Sequence, residues 1–191
     1  CMVITARLHC GLDLLKDPMS LTSTPSSVVT AEPFSTDEFR SALGQFATGV
    51  TIVTARDAQG HLVGLTANSF SSVSLTPPLV LWCLSSKSSA LAGFQSATHY
   101  AINVLAADQR LLAERFARKG IDRFEGTPWR PGLTGSPVID GAVAVFECSH
   151  HQLMEAGDHI VLVGRVEHVR RRVGANPLVF HGSRFFSDLS T

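Results

Sequence analysis

The sequence has no excess of either charge: sixteen Lys and Arg residues balance sixteen Asp and Glu. That excludes a field of one sign drawing the chain to nucleic acid or to an anionic membrane. It also lacks long apolar runs. The longest, such as "PLVLWCL", fall far short of the roughly 20 residues that cross a bilayer as a helix. The cysteines form no CxxC pair: Cys1, Cys10, Cys83 and Cys148 are scattered, which suits free thiols in a reducing cytoplasm better than a disulfide framework. No GxGxxG and no internal repeat is present, so a doubly wound nucleotide fold is not indicated. GxSxG, HExxH, a Walker motif and a close carboxylate pair are missing as well. Hydrolysis has no visible machinery. What remains is chemistry in which a cofactor does the hard step and the protein supplies position.

At 191 residues, 45% hydrophobic and 17% charged, the chain has the size and make-up of one globular domain. Residues 1–33 read as a flexible N-terminal arm and 34–191 as the folded domain. Residues 1–18 lack the layout of a secretion signal, and Met19 is the expected natural start. Residues 19–33 are rich in Ser, Thr and Pro without a period. A helix is expected from "STDEFRSALGQFATG": Ser35 or Thr36 caps it, Asp37 and Glu38 sit in its first turn, Phe39, Leu43 and Phe46 share a face, and Gly49 ends it. Strand-like runs follow at 50–55, 61–66, 79–84, 99–104, 142–149, 159–169 and 178–186. Two helical stretches interrupt them, "SALAGFQ" and "AADQRLLAERFARKG". The second opens at Asp108 and closes on Gly120, with Leu111, Leu112 and Phe116 on one side. Irregular alternation of this kind points to a mainly β, mostly antiparallel barrel with peripheral helices.

Three clusters could carry chemistry. "LTANSFSSVS", residues 65–74, holds five hydroxyls and one Asn, and "SSKSS", residues 85–89, follows one strand later. Short polar side chains let backbone N–H groups approach a ligand, and hydroxyls and Lys87 can meet phosphate. On composition alone a plain hydroxyl-rich loop is the better-supported reading. "EAGDHIVLVGRVE" places Gly157 and Asp158 in a tight turn and His159 at a strand mouth. His150 and His151 are adjacent on a strand and point to opposite faces, which argues against one metal ion between them. "PLVFHGSRFFSDL" offers His181, Arg184 and Phe185 to a planar ligand, or simply a strand that closes the barrel.

In this order the clusters resemble the short-chain flavin reductases, the NAD(P)H-dependent partners of two-component flavin monooxygenases. The resemblance runs from about Phe39 to Leu189, on "FATGVTIVTA", "GLTANSFSSVSLTPPLVLWCL", "SSKSS", "RFARKGIDRFEG", "FEC", "AGDHIVLVGRV" and "PLVFHGSRF". It implies a split β-barrel of the Greek-key, FMN-binding type and a cytoplasmic homodimer. It also implies FMN or FAD bound in a groove, with NADH or NADPH as hydride donor. By position, Thr66, Ala67, Asn68 and Ser69 would face the flavin ring and ribityl chain, with Ser72, Val73 and Ser74 near them. Ser86, Lys87, Ser88 and Ser89 would hold the phosphate. Thr48 would meet the ring edge, and Arg123 and Phe124 would close over the flavin. His159 would meet the nicotinamide nucleotide, with Arg184 and Phe185 on the same side. Many relatives carry Tyr where Phe180 and Phe185 stand, and Gly where Ser183 stands. Hydride transfer between stacked rings needs no protein acid or base, which suits the residues present.

Three other readings compete. A flavin-binding electron-transfer or storage protein on the same barrel would lack efficient NAD(P)H turnover. A pyridoxamine-phosphate-oxidase-like protein would carry more arginine at the phosphate than "SSKSS" supplies. A pure interaction domain would bind no flavin.

Overall fold

A computed structural model describes residues 34–187. The arm expected over 1–33 and the last residues, 188–191, lie outside that range. Helix α1 (Thr36–Leu43) is capped as its sequence dictates: the Glu38 N–H donates to the Ser35 hydroxyl at 3.2 Å and the Ser35 N–H to the Glu38 carboxylate at 2.7 Å. It stops at Gly44 rather than Gly49, which lies in a two-residue strand β1 (Thr48–Gly49). Its expected apolar face is left largely open: Phe39, whose ring lies 5.4 Å from that of Phe34, is exposed, as are Leu43 and Phe46.

The remaining elements are β2 (Thr51–Arg56), β3 (Leu62–Ala67), β4 (Ser71–Leu75), β5 (Pro78–Ser85), α2 (Leu91–Ser96), β6 (His99–Val104), α3 (Arg110–Ala117), β7 (Trp129–Pro131), β8 (Pro137–Ile139), β9 (Ala144–Ala156), β10 (His159–Arg171), β11 (Val179–His181) and β12 (Arg184–Phe186). Seven strands form one antiparallel sheet in the order β3-β2-β6-β9-β10-β5-β4. Its two outermost strands, β3 and β4, are joined by only residues 68–70, so the sheet must curl until its edges meet. Ser69 pins the closure: its hydroxyl accepts from the Cys83 N–H at 2.9 Å and donates to the Cys83 carbonyl at 3.3 Å. The result is a split barrel.

Alternation along β5 decides which side chains fill it. Trp82 and Leu84 point inward and Cys83 outward to the groove described below. Trp82 meets Phe94 and Tyr100 edge-on, with ring centroids 5.0 and 5.9 Å apart. Val53, Ile102, Ile160 and Leu162 complete the interior.

A second apolar cluster lies outside the sheet. Val50, Ile52 and Leu178 pack there with Ala113 and Phe116 of α3 and with Ile139 of β8. Phe116 and Phe124 are stacked edge-to-face at 5.1 Å over Gly64, whose bare Cα lets α3 lie close to β3. The helix ends at Ala117, where Arg118 turns extended, so Gly120 does not cap it. Leu111 faces solvent while Leu112 and Phe116 face the cluster. A three-stranded sheet of β1, β11 and β12 lies beside this cluster, with Phe180 and Phe185 packed against it.

Candidate functional site

The stretch "LTANSFSSVS" is mostly strand. Residues up to Ala67 belong to β3 and those from Ser71 to β4, which leaves Asn68, Ser69 and Phe70 as the whole connection. This junction opens onto a groove of about 510 Å3. Thr66, Ala67, Asn68 and Ser69 line one wall, and Lys87, Ser88 and Ser89 line the turn after β5. His159 stands at one end, and Arg123 reaches in from the loop after α3. The groove continues into two smaller cavities. One, of about 240 Å3, is reached past Ser89 and Arg123 and holds Phe124. The other, of about 220 Å3, is reached past Thr66 and Asn68 and holds Phe180 and Phe185.

Two turns are fastened together at the His159 end. β9 and β10 are joined by Gly157 and Asp158 alone, and Gly157 takes φ +63°, as a tight hairpin turn between right-twisted strands requires. Ser86 then donates both its N–H and its hydroxyl to the Asp158 carbonyl, each at 3.0 Å. Ser85 pairs directly with His159 across β5 and β10. The His159 ring is half exposed, and its Nδ1–H donates to the Asp158 carboxylate at 2.7 Å, which fixes the ring and leaves Nε2 as its second polar atom. That hydrogen bond, with Lys87 nearby, holds the Asp158 carboxyl below the usual carboxylate range.

Several hydroxyls that the sequence offers to a ligand have internal partners. Thr66 donates to the Ala113 carbonyl of α3 at 2.6 Å, Ser69 is bound to Cys83, and Ser86 to Asp158. Those three build the groove's frame. Asn68 makes no hydrogen bond among the described residues and is exposed at the groove, as is Ser89 at the opposite turn. Arg123 donates to the Gly64 carbonyl at 2.8 Å and to the Arg118 carbonyl at 2.9 Å, so its guanidinium also ties the loop to β3. Ser72, Val73 and Ser74 lie on the exposed edge strand β4 and do not line the groove. Thr48 is in β1 opposite Phe180, its hydroxyl buried without a hydrogen-bond partner among the described residues. Arg184 is exposed in β12, while Phe185 lies 5.1 Å from Phe180 in the adjoining cavity.

The sequence reading missed the α3 end of the groove. Phe116, Ala117 and Lys119, from the motif "RFARKG", line it. Lys119 sits just past the helix, where a basic residue reads equally well as a solvated helix end. Cys83 also faces the groove, and burial pushes its thiol above the ordinary value, so it stays protonated.

The lining fits an anionic, partly planar ligand. Lys87, Lys119 and Arg123 bring positive charge, and no Asp or Glu lines the groove. Short side chains at residues 66–69 and 88–89 leave backbone within reach, and Leu65 and Phe116 add apolar surface. Among the described residues no group of His, Cys, Asp and Glu is placed to hold a metal ion, and no helix is long and apolar enough to cross a membrane.

Residues 43–187 match the model of the flavin reductase like domain. The probable flavin reductase of Rhizobium meliloti is 49% identical over 138 residues, 72% of this chain but 44% of that protein. The FMN reductase (NADH) SmoA of Agrobacterium fabrum is 49% identical over 147 residues, 77% of this chain and 83% of that protein. The chain thus spans less than half of the first relative's length and most of the second's. Among solved structures, the NADH:FAD oxidoreductase SgcE6 of Streptomyces globisporus C-1027, in complex with NAD and FAD fragments, superposes with a TM-score of 0.75. It is 39% identical and covers 78% of this chain and 90% of its own.

Proposed function

The chain belongs to the flavin reductase like family, and on that premise we propose that it is an NAD(P)H-dependent flavin reductase that supplies reduced flavin to a monooxygenase component. The observation that carries this reading is the double hydrogen bond from Ser86 to Asp158. It joins a serine- and lysine-bearing turn, suited to a flavin phosphate, to the hairpin that presents His159. One groove then has a place for the flavin and a place for its reductant.

In this reading the backbone of Ala67, Asn68 and Ser69 and the Asn68 amide orient the flavin ring. Lys87, Ser88 and Ser89 hold the phosphate, and Arg123 with Phe124 covers the far side. His159, steadied by Asp158, orients the nicotinamide nucleotide, and Phe185 extends the apolar wall on which it rests. A bound flavin supplies the hydride-accepting ring. The chain's own task is to align and shield, which agrees with a groove that offers no carboxylate and a protonated Cys83.

A homodimer belongs to the same proposal. Its support is the apolar surface left uncovered: Phe39, Leu43 and Phe46 around α1, Val73 and Leu75 on β4, and Leu153 and Met154 on β9. Leu75 is 92% exposed, and apolar area of this extent on several elements marks a protein contact. We place the protein in the cytoplasm, where NAD(P)H is available and where Cys83 and Cys148 stay as the free thiols they are here. The test is to titrate FMN and FAD and to follow NADH and NADPH oxidation with each. Saturable flavin binding with flavin-dependent oxidation is the expected result. Flavin binding without oxidation would leave a flavin carrier instead.

A further inference from the structure

The groove and its extension of about 240 Å3 share two lining residues, Ser89 and Arg123. The extension therefore opens beside the turn of Lys87, Ser88 and Ser89, and His159 is not part of its lining. Beyond the shared pair its walls include Leu62, Val63, Ile121, Asp122 and Phe124. Ile121 is 45% exposed and Asp122 is exposed too, so both are open to a ligand. Two polar atoms here have no protein partner. Arg123 spends Nε on the Arg118 carbonyl and Nη1 on the Gly64 carbonyl, while Nη2 makes no hydrogen bond among the described residues. Asp122 Oδ1 accepts from the Phe124 N–H at 2.9 Å and the Glu125 N–H at 3.3 Å, while Oδ2 makes no hydrogen bond among them.

The charge pattern sorts what can enter. Lys87, Lys119 and Arg123 line the groove without an acid, whereas the extension holds Asp122. A phosphate pushed into the extension would meet that carboxylate and be repelled. Hydroxyl and amino groups would be held by it. A ligand that suits both spaces is anionic at the junction and a neutral hydrogen-bond donor past it. FMN ends at its phosphate. In FAD the same phosphate continues into a second phosphate, a ribose and an adenine. We propose that the extension takes the adenosine half of FAD, with the second phosphate at Arg123 Nη2 and a ribose hydroxyl or the adenine amine on Asp122 Oδ2. The chain then prefers FAD to FMN. Leu62, Val63, Ile121 and Phe124 give the flat base its walls. The inference rests on the flavin reading, from which it takes the position of the first phosphate. NAD(P)H carries an adenosine of the same chemistry, but its nicotinamide belongs at His159, which does not line the extension.

The test titrates the full chain with FMN, FAD and NAD+ in the absence of a reductant and reads binding alone. FAD is expected to bind at least about tenfold more tightly than FMN. Asp122→Asn keeps the oxygen that the Phe124 and Glu125 N–H groups need and removes the charge offered to the ligand. It should weaken FAD at least about fivefold, as loss of a charge-assisted hydrogen bond does, and leave FMN within about twofold. NAD+ affinity should stay the same in the variant. FMN binding as tightly as FAD, an equal loss for both flavins in the variant, or a loss for NAD+ in place of FAD would each overturn the proposal and leave the flavin reading standing. Binding of neither flavin would overturn both.

Discussion

Ser86 and Asp158 are 72 residues apart in sequence, yet Ser86 gives both its N–H and its hydroxyl to the Asp158 carbonyl at 3.0 Å. The contact sets the spacing between the phosphate-side turn and His159. Ser86→Ala keeps the N–H bond and loses the other, worth about 1 kcal/mol. The expected outcome is a drop of roughly fivefold in kcat/KM for the nicotinamide nucleotide. Steady-state kinetics, with urea unfolding run beside it, check this.

Gly64 lies under the Phe116–Phe124 pair. A Cβ there would stand 2.8 Å from Phe116 and 3.1 Å from Phe124. Gly64→Ala must displace rings that are packed on both sides, so a loss of about 1–3 kcal/mol is expected. Because the Gly64 carbonyl also anchors Arg123, flavin affinity should weaken in the same variant. Denaturant titration and a flavin titration measure the two effects separately.

Ser183 has φ +63° in the tight turn between β11 and β12, next to Gly182 at +53°. A left-handed backbone at this position suits Gly better than a residue with a Cβ. Ser183→Gly should match or exceed the parent stability by up to about 1 kcal/mol, whereas Ser183→Val should lose about 1–2 kcal/mol. Thermal unfolding of the two variants decides it.

Much of the frame could be read from residue patterns. The positions of β2, β3, β5, β6 and β10, the Ser35 cap and the two-residue Gly157–Asp158 turn follow from alternation, capping chemistry and turn preference, whereas β9 runs on to Ala156, the run 178–186 is a hairpin of β11 and β12, and β1, β7 and β8 are too short to show a pattern. The short edge strand β4 could not be, because "SSVSL" is exposed along most of its length and has the composition of a loop. The site was half legible. Asn68, Lys87, Ser89 and His159, which the sequence offers on three separate segments, line one groove. What local sequence could not say is that Thr66, Ser69 and Ser86 spend their hydroxyls on distant carbonyl and amide groups. Those bonds depend on sheet closure, which brings residue 69 to 83 and residue 86 to 158.

Glu147 is buried yet ionised. Burial opposes its charge, but the Thr134 N–H and hydroxyl, the Leu133 N–H and the nearby Arg170 outweigh it and hold the carboxyl below its ordinary value near 4.5. A lowered native pKa adds stability that is present above the unfolded value and is lost as pH falls through the native one. Glu147→Gln should therefore cost about 1–3 kcal/mol at neutral pH. The gap to the parent should narrow as pH drops below about 4.5. Urea midpoints from pH 7 to pH 3 report it.

The central claim is that His159 serves the reductant and the 66–69 and 87–89 segments serve the flavin. Stopped-flow reduction of flavin by NADH in His159→Ala, with flavin affinity measured on the same protein, tests this most directly. The account predicts a flavin Kd within about twofold of the parent and a reduction rate at least about tenfold lower, a loss of some 1.4 kcal/mol or more in transition-state positioning. An unchanged reduction rate, or a loss confined to flavin binding, would contradict it.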